Sequence, residues 1–304
     1  MNATLNLATP PTLPAAPDGT APHPPRWGAV FREQLRTVAA ALRLERMVAG
    51  TLLVLVSLPL LFLHWQTPGH RTDGQFPEMM LVTGLLGLFA PMGVWKGEPP
   101  SRRAYLWALP VDRSRHTLVK VFAGWTWLMA AVGAYVLWAV AIAWATGGRL
   151  SMGTTHFLVR QMPPGVDPTA ADLFIHPWPV PGWAWLVPFA SATAAYLMGS
   201  IAVLASDHPW RWFAGVVLGW GLMAGIGLDW SAEATRALIE GRYGLEVLTT
   251  GGEAREVAVA VPGRGQVSTY TCVPLRDAWI GAALLWMGLG LAGTVAVALR
   301  RQER

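Results

Sequence analysis

Six stretches of the chain carry no charged residue: Met47–Gln66, Met79–Trp95, Val121–Gly148, Leu173–Ser206, Trp212–Leu228 and Ala278–Leu299. Each is near or above the roughly 20 apolar residues that take a helix across a bilayer. The fourth opens on Pro177-Trp178-Pro179-Val180-Pro181, which cannot extend a helix, so its span starts near Trp183. The pattern therefore predicts an all-α polytopic membrane protein with six transmembrane helices near 47–66, 78–96, 119–146, 183–205, 211–229 and 278–299. The third is long enough to tilt or to project from the membrane. Trp65, Trp95, Trp144, Trp183, Trp212, Trp230 and Trp279 fall at span ends, where amphipathic rings settle into the interfacial belt.

Between the spans the pattern changes. Residues 1–25 hold seven Pro, no Lys or Arg and no apolar run, which predicts a disordered tail and no signal peptide. Over 26–46, Trp27, Phe31, Leu35, Val38 and Leu42 recur at helical spacing with Arg32, Arg36 and Arg43 on another face. That is the signature of an amphipathic helix lying in the membrane interface, although a plain helical extension of the first span would share the spacing. Residues 147–182 are rich in Pro and Gly and read as an irregular cap. Residues 230–277 look more ordered. A helix is expected over Ser231–Gly241 with Ser231 as its N-cap, and a hairpin over 256–273 around Pro262-Gly263-Arg264-Gly265.

Composition agrees with the spans: 53% of the 304 residues are hydrophobic and 13% charged, against about 25% charged in soluble domains, and the mean hydropathy is +0.37. The formal charge of +5 comes from 23 basic and 18 acidic residues. The basic residues form no patch of the kind nucleic acid requires; they sit at span ends and act as topology signals. The N-terminal segment and the loop after the second span hold eleven of them, and with Arg211, Arg300, Arg301 and Arg304 the count on that side is fifteen of 23. Both termini are therefore expected in the cytoplasm (N-in, C-in), with 96–118 a cytoplasmic loop and 147–182 and 230–277 external. The single Cys272 can form no intrachain disulfide.

The chain offers little chemistry of its own. A phosphate-binding P-loop needs Gly-Lys-Ser/Thr, and the only lysines, Lys96 and Lys120, follow Trp95 and Val119. Nucleotide energy would have to come from another polypeptide. None of the seven histidines is paired at i, i+4; His64, His70, His156 and His176 fall on the expected outer side, as a metal or haem site would want or as solvated loop residues. Ser57, Ser191 and Ser200 lie within spans without a His at similar depth, which suits helix packing. No ionisable residue stands at mid-membrane, as ion-coupled transporters usually require, which leaves a pathway suited to an apolar or amphipathic cargo. Gly215, Gly219, Gly221, Gly225 and Gly227 in the fifth span, and Gly281, Gly288, Gly290 and Gly293 in the sixth, are expected to let helices approach closely or to form a moving gate.

One loop is more specific. After the second span the chain reads Lys96-Gly-Glu-Pro-Pro-Ser-Arg-Arg-Ala-Tyr-Leu-Trp-Ala-Leu-Pro-Val-Asp-Arg-Ser-Arg-His-Thr-Leu-Val-Lys120. A short helix over Ser101–Leu109 would expose Tyr105, Leu106 and Trp107 beside Arg102 and Arg103, break at Pro110 and restart at an Asp112 or Ser114 cap. Aromatic and Arg side chains on a short helix suit a protein-docking knob; a helix resting on headgroups would look the same. The segment resembles the inner loop of ABC-2 type permeases, the membrane subunits of many bacterial ABC exporters. The match is carried by Arg103, Leu109, Pro110, Arg113 and Lys120, with Asp112 where Ser is commoner, and the wider layout from Trp27 to Arg301 is similar.

The resemblance implies a multi-pass permease of the bacterial cytoplasmic (inner) membrane that is no enzyme itself. It implies a dimer with a second copy or a related permease, and a separate ABC ATPase subunit that holds the ATP and Mg. Arg102, Arg103, Tyr105, Leu106, Trp107, Leu109, Pro110 and Arg113 would then form the ATPase-coupling helix. The residues alone leave two other readings open: a haem- or metal-related membrane enzyme or maturation subunit using the outer histidines, and a sensory or scaffold protein whose knob docks a signalling partner.

Overall fold

The computed structural model describes residues 27–67, 71–96, 113–206, 208–226 and 229–300. In chain order the elements are α1 (Trp27–Ala41), α2 (Arg43–Gln66), β1 (Gly74–Gln75), α3 (Phe76–Val94), α4 (Arg113–Ala145), β2 (Leu150–Leu158), β3 (Leu173–Pro179), a 3₁₀ turn (Gly182–Leu186) running into α5 (Val187–Ala205), α6 (Pro209–Gly225), α7 (Asp229–Ile239), α8 (Leu245–Thr250), β4 (Gly252–Val261), β5 (Gly265–Pro274) and α9 (Arg276–Arg300). The protein is mostly helical. Among the described residues five helices, α2, α3, α4, α5 with its leading turn, and α9, are long and apolar enough to cross a membrane. The segment expected as a further span forms α6, a 17-residue helix. At 1.5 Å per residue it covers about 25 Å, less than the ~30 Å hydrocarbon core.

Helix α5 is the centre of the bundle. Twelve of its 19 residues are buried, and it packs against α3, α4 and α9. Small residues make this possible, because a helix pair in an apolar medium gains its contacts by close backbone approach. A Cβ at Gly87 of α3 would run into the Ala192 carbonyl, and one at Gly199 of α5 would run into the Leu88 carbonyl. Across the α5–α9 seam Gly290 faces Leu197 and Gly293 faces Ile201. The glycines of α6 behave otherwise. Gly215, Gly219, Gly221 and Gly225 have open space where a Cβ would stand, so among the described residues they make no close seam, and Gly227 lies outside the described residues. Gly288 is likewise open, while Gly281 abuts the Tyr243 ring.

At one end of the bundle α3 ends and α4 begins; at the other are the two sheets. There the expectation of an irregular cap over 147–182 is corrected. The strands β2 and β3 pair antiparallel from Leu158↔Leu173 to Ser151↔Pro179, and β1 joins β2 in parallel. Pro177 and Pro179 fit because β3 is the edge of this β1-β2-β3 sheet, where a missing N–H costs no ladder bond. The β4–β5 hairpin is longer than its alternation indicates, pairing from Gly252↔Pro274 to Val261↔Gly265. Its turn has Pro262 followed by Gly263 at φ +77° and closes with Arg264 N–H donating to Val261 O at 3.1 Å, the type II arrangement. Phe157 of the first sheet is buried with Val259 and Val261 of the hairpin, so the two sheets pack on each other.

The α7 helix begins at Asp229, two residues before its expected N-cap. Ser231 therefore lies in its first turn, with its hydroxyl directed at Met223 O, 3.4 Å away. The added helix α8 ends on Gly251 at φ +73° and buries Val247 and Leu248 against α3, α5 and α9. Of the expected belt tryptophans, Trp65, Trp144, Trp212 and Trp230 are exposed, whereas Trp95 and Trp279 are buried in the protein.

The α3–α5 seam gives a paired expectation. Gly199→Val should destabilise the protein by about 1–3 kcal/mol, because the clash falls on backbone that cannot turn aside. Gly215→Ala should be neutral or stabilising by up to about 1 kcal/mol. Thermal unfolding of the two variants in detergent, read against wild type, checks both.

Candidate functional site

The sequence-predicted coupling residues Arg102, Arg103, Tyr105, Leu106, Trp107, Leu109 and Pro110 lie outside the described residues. Arg113 is the first residue of α4, and its side chain is likewise outside them. The structure does describe the two ends from which this segment hangs, and both are tied into the protein.

On the α3 side, Trp95 occupies the C-cap position and is buried. The next residue, Lys96, places Nζ 3.1 Å from Glu45 Oε1 of α2; both side chains are part-exposed, so the pair orients the chain more than it stabilises it. On the α4 side, Lys120 is only 2% exposed, and its ammonium stands 4.5 Å from the centre of the Trp95 ring. A cation over an indole face in a dry setting is attracted by the ring quadrupole, by up to about 2 kcal/mol. This contact ties the end of α3 to the second turn of α4.

Helix α1 closes the frame. Its apolar face, which the sequence places in the membrane interface, turns onto α4: Val38 is fully buried, and the Phe31 ring lies 5.3 Å from that of Phe122. The Gln34 amide donates to His116 Nε2 at 2.9 Å, and Trp127 Nε1 donates to Leu35 O at 3.0 Å. The Arg115 guanidinium stands 5.7 Å from the Trp27 ring centre. Arg46 lies 4.8 Å from the Trp127 ring and donates to Ala39 O at 2.6 Å, satisfying a carbonyl of the last turn of α1, where a cation is favoured. The chain bends at Leu42 between α1 and α2, so Arg43 and Arg46 belong to α2 and not to one helix over 26–46. From α4 the connection continues inward, since the buried Tyr196 hydroxyl of α5 donates to Val121 O at 2.8 Å.

Sequence reasoning took Trp95 for a belt residue and the lysines chiefly for topology signals. It missed Gln34, Glu45, His116 and Trp127 altogether. The available hint was the density of Trp and cationic residues at the adjoining ends of three apolar segments.

The remaining candidates do not converge. In the β2–β3 register His156 faces Ile175 and His176 faces Thr155, so the two imidazoles lie on opposite faces of the sheet. His70 and His23 lie outside the described residues, and among those described no group of three His, Cys, Asp or Glu is placed to hold a metal ion. Ser57 Oγ donates to Leu53 O at 2.6 Å and accepts from Trp138 Nε1 at 2.8 Å, tying α2 to α4; Ser191 Oγ donates to Pro188 O at 3.2 Å. Burial pushes the Cys272 thiol up from its ordinary value, which keeps it protonated and a poor nucleophile at neutral pH.

Comparison of the chain with protein-family models, curated proteins and solved structures finds no match.

If α1 is held to α4 by these contacts, Trp127→Phe should cost about 1 kcal/mol locally through the lost hydrogen bond to Leu35. That opens α1 roughly fivefold more often. Trypsin cleavage at the exposed Arg32 and Arg36 should quicken accordingly, while Trp144→Phe, at the far end of α4 with an exposed ring, should leave the rate unchanged.

Proposed function

We propose that this chain is the membrane permease subunit of an ABC transporter of the ABC-2 type, an exporter of apolar or amphipathic substrate in the bacterial cytoplasmic membrane. The observation that carries the reading is the framed segment. The residues from Arg103 to Lys120 that resemble the family's inner loop hang from two helix ends clamped by Lys120 over Trp95 and by Lys96 with Glu45. A load applied there has a short route inward: α3 and α4 meet α5 through the Gly87–Ala192 approach and the Tyr196 hydrogen bond.

In this reading α6 is the sixth span, both termini and the framed segment face the cytoplasm, and the two sheets with α7 and α8 face outward. The chain hydrolyses nothing. ATP and Mg are held by a separate ATPase subunit whose groove receives Arg102 to Arg113. A second permease copy or a related permease completes the dimer, and nucleic acid is not a partner. The exposed apolar surfaces of α2 and α6 meet lipid or that second permease.

A mild-detergent pull-down of tagged protein from its host, with mass spectrometry and an ATPase assay on the eluate, tests this. A Walker-containing subunit should be recovered with vanadate-sensitive hydrolysis. Tyr105→Ala with Trp107→Ala should abolish that association while leaving membrane insertion intact. Retained association would sink the docking assignment, and a preparation without any ATPase would sink the transporter reading.

A further inference from the structure

At the sheet end, where α9 begins, the structure forms a half-open recess of about 580 Å³. Its walls come from the turn after α7, from β4 and from the first residues of α9, and it carries three guanidinium groups, Arg242, Arg255 and Arg276, together with three carboxylates, Glu240, Glu253 and Asp277. The floor is apolar: Val247 and Ala278, both buried, line it with Leu275.

The charges are only partly spent on one another. Arg255 closes on Glu253 at 2.7 Å. Glu240 has a looser partner in Arg236, 3.9 Å away, and the Arg242 guanidinium stands 5.6 Å from the Tyr243 ring centre. Arg276 and Asp277 make no ion pair with another side chain among the described residues. Two guanidinia and up to two carboxylates thus remain to meet a ligand.

The balance of charge decides what that ligand is. A simple anion entering the recess meets three carboxylates as well as three guanidinia, and a simple cation meets the reverse, so neither gains a net field. A neutral apolar molecule gains the floor but strips water from six charged groups, which is costly without partners to replace it. A group carrying both signs a few bonds apart, with a short hydrocarbon between them, satisfies the rim and the floor together through charge-assisted hydrogen bonds.

We infer that the recess walled by Arg242, Arg276, Glu240 and Asp277 at the start of α9 binds a zwitterionic group, an ammonium joined by a short carbon linker to a phosphate or carboxylate. Because α9 is also a candidate membrane span, the recess lies where a span meets water. The same chemistry can reach it as the headgroup of a zwitterionic phospholipid or as a free zwitterion.

The test uses the full chain. In detergent free of zwitterionic lipid, calorimetric titration with phosphoethanolamine and β-alanine is compared with ethanolamine and inorganic phosphate as single-charge controls. In nanodiscs of mixed phosphatidylethanolamine and phosphatidylglycerol, mass spectrometry reads which lipid stays with the protein. Saturable binding of either zwitterion, about tenfold tighter than the controls, supports the inference with a soluble ligand. Selective retention of phosphatidylethanolamine supports it with a lipid ligand. In either case Arg276→Gln with Asp277→Asn, and separately Arg242→Gln with Glu240→Gln, should weaken binding about tenfold with an unchanged melting temperature. Neither kind of binding, equal binding of phosphate alone, or binding untouched in both folded variants overturns it.

Discussion

In an apolar surrounding a helix has no hydrophobic reason to leave lipid for another helix, so association depends on how closely two backbones can come together. The α3–α5 seam is this protein's answer. The Ala192 carbonyl sits where a side chain on Gly87 would begin, and the Leu88 carbonyl where one on Gly199 would begin. The contact that matters is therefore one in which side chains are missing. Most else at the centre follows from it. Helix α5 is drawn deep enough to bury twelve residues, α9 settles on its other side through Gly290 and Gly293, and two apolar clusters form, one around Tyr196 and Val94, the other around Phe76 and Trp279.

Hydropathy made five of the helices legible because each meets lipid or apolar neighbours along its length, and the signal is the same for both. For that reason it could not say which glycines were seams. Gly199 and Gly215 are alike in sequence, one against a carbonyl and the other against open space. The β1-β2-β3 sheet was hidden by its own prolines, which argue against a strand except at an edge, and edge position is a property of the fold rather than of the segment. Helix α8, at six residues, is too short to show a period. At the loop end the residues were visible but their partners were not: a Trp at a span end and a Lys at the next look like separate interfacial markers until Lys120 is found over Trp95.

The two ends of the molecule use polar residues differently. At the loop end they are spent within the protein, on bonds that join α1, α2, α3 and α4 across sequence separations of 51 to 92 residues. At the sheet end much of the structure is self-contained, with paired strands and a short helix packed beneath them, and the charged side chains around the start of α9 are left facing a recess. One end is thus tied together by side-chain bonds and the other by strand pairing, and α5 packs into the apolar clusters of both.

Helix α2 has no buried residue along its 24 positions, and its span is the most hydropathic of the five candidates. Beyond the Arg46 bond back to Ala39, its side-chain contacts among the described residues reach later parts of the chain: Lys96 for Glu45, Trp127 for Arg46 and Trp138 for Ser57. The first of these later partners lies 51 residues on and the last 81, so α2 is made well before the fold can receive it. The surplus of apolar side chains on α2 is what an unaccompanied helix needs. The less hydropathic α3 and α5 span are instead buried against each other, far apart in sequence though they are. Which helices can stand lipid on every side is thus set by how much of each the fold buries.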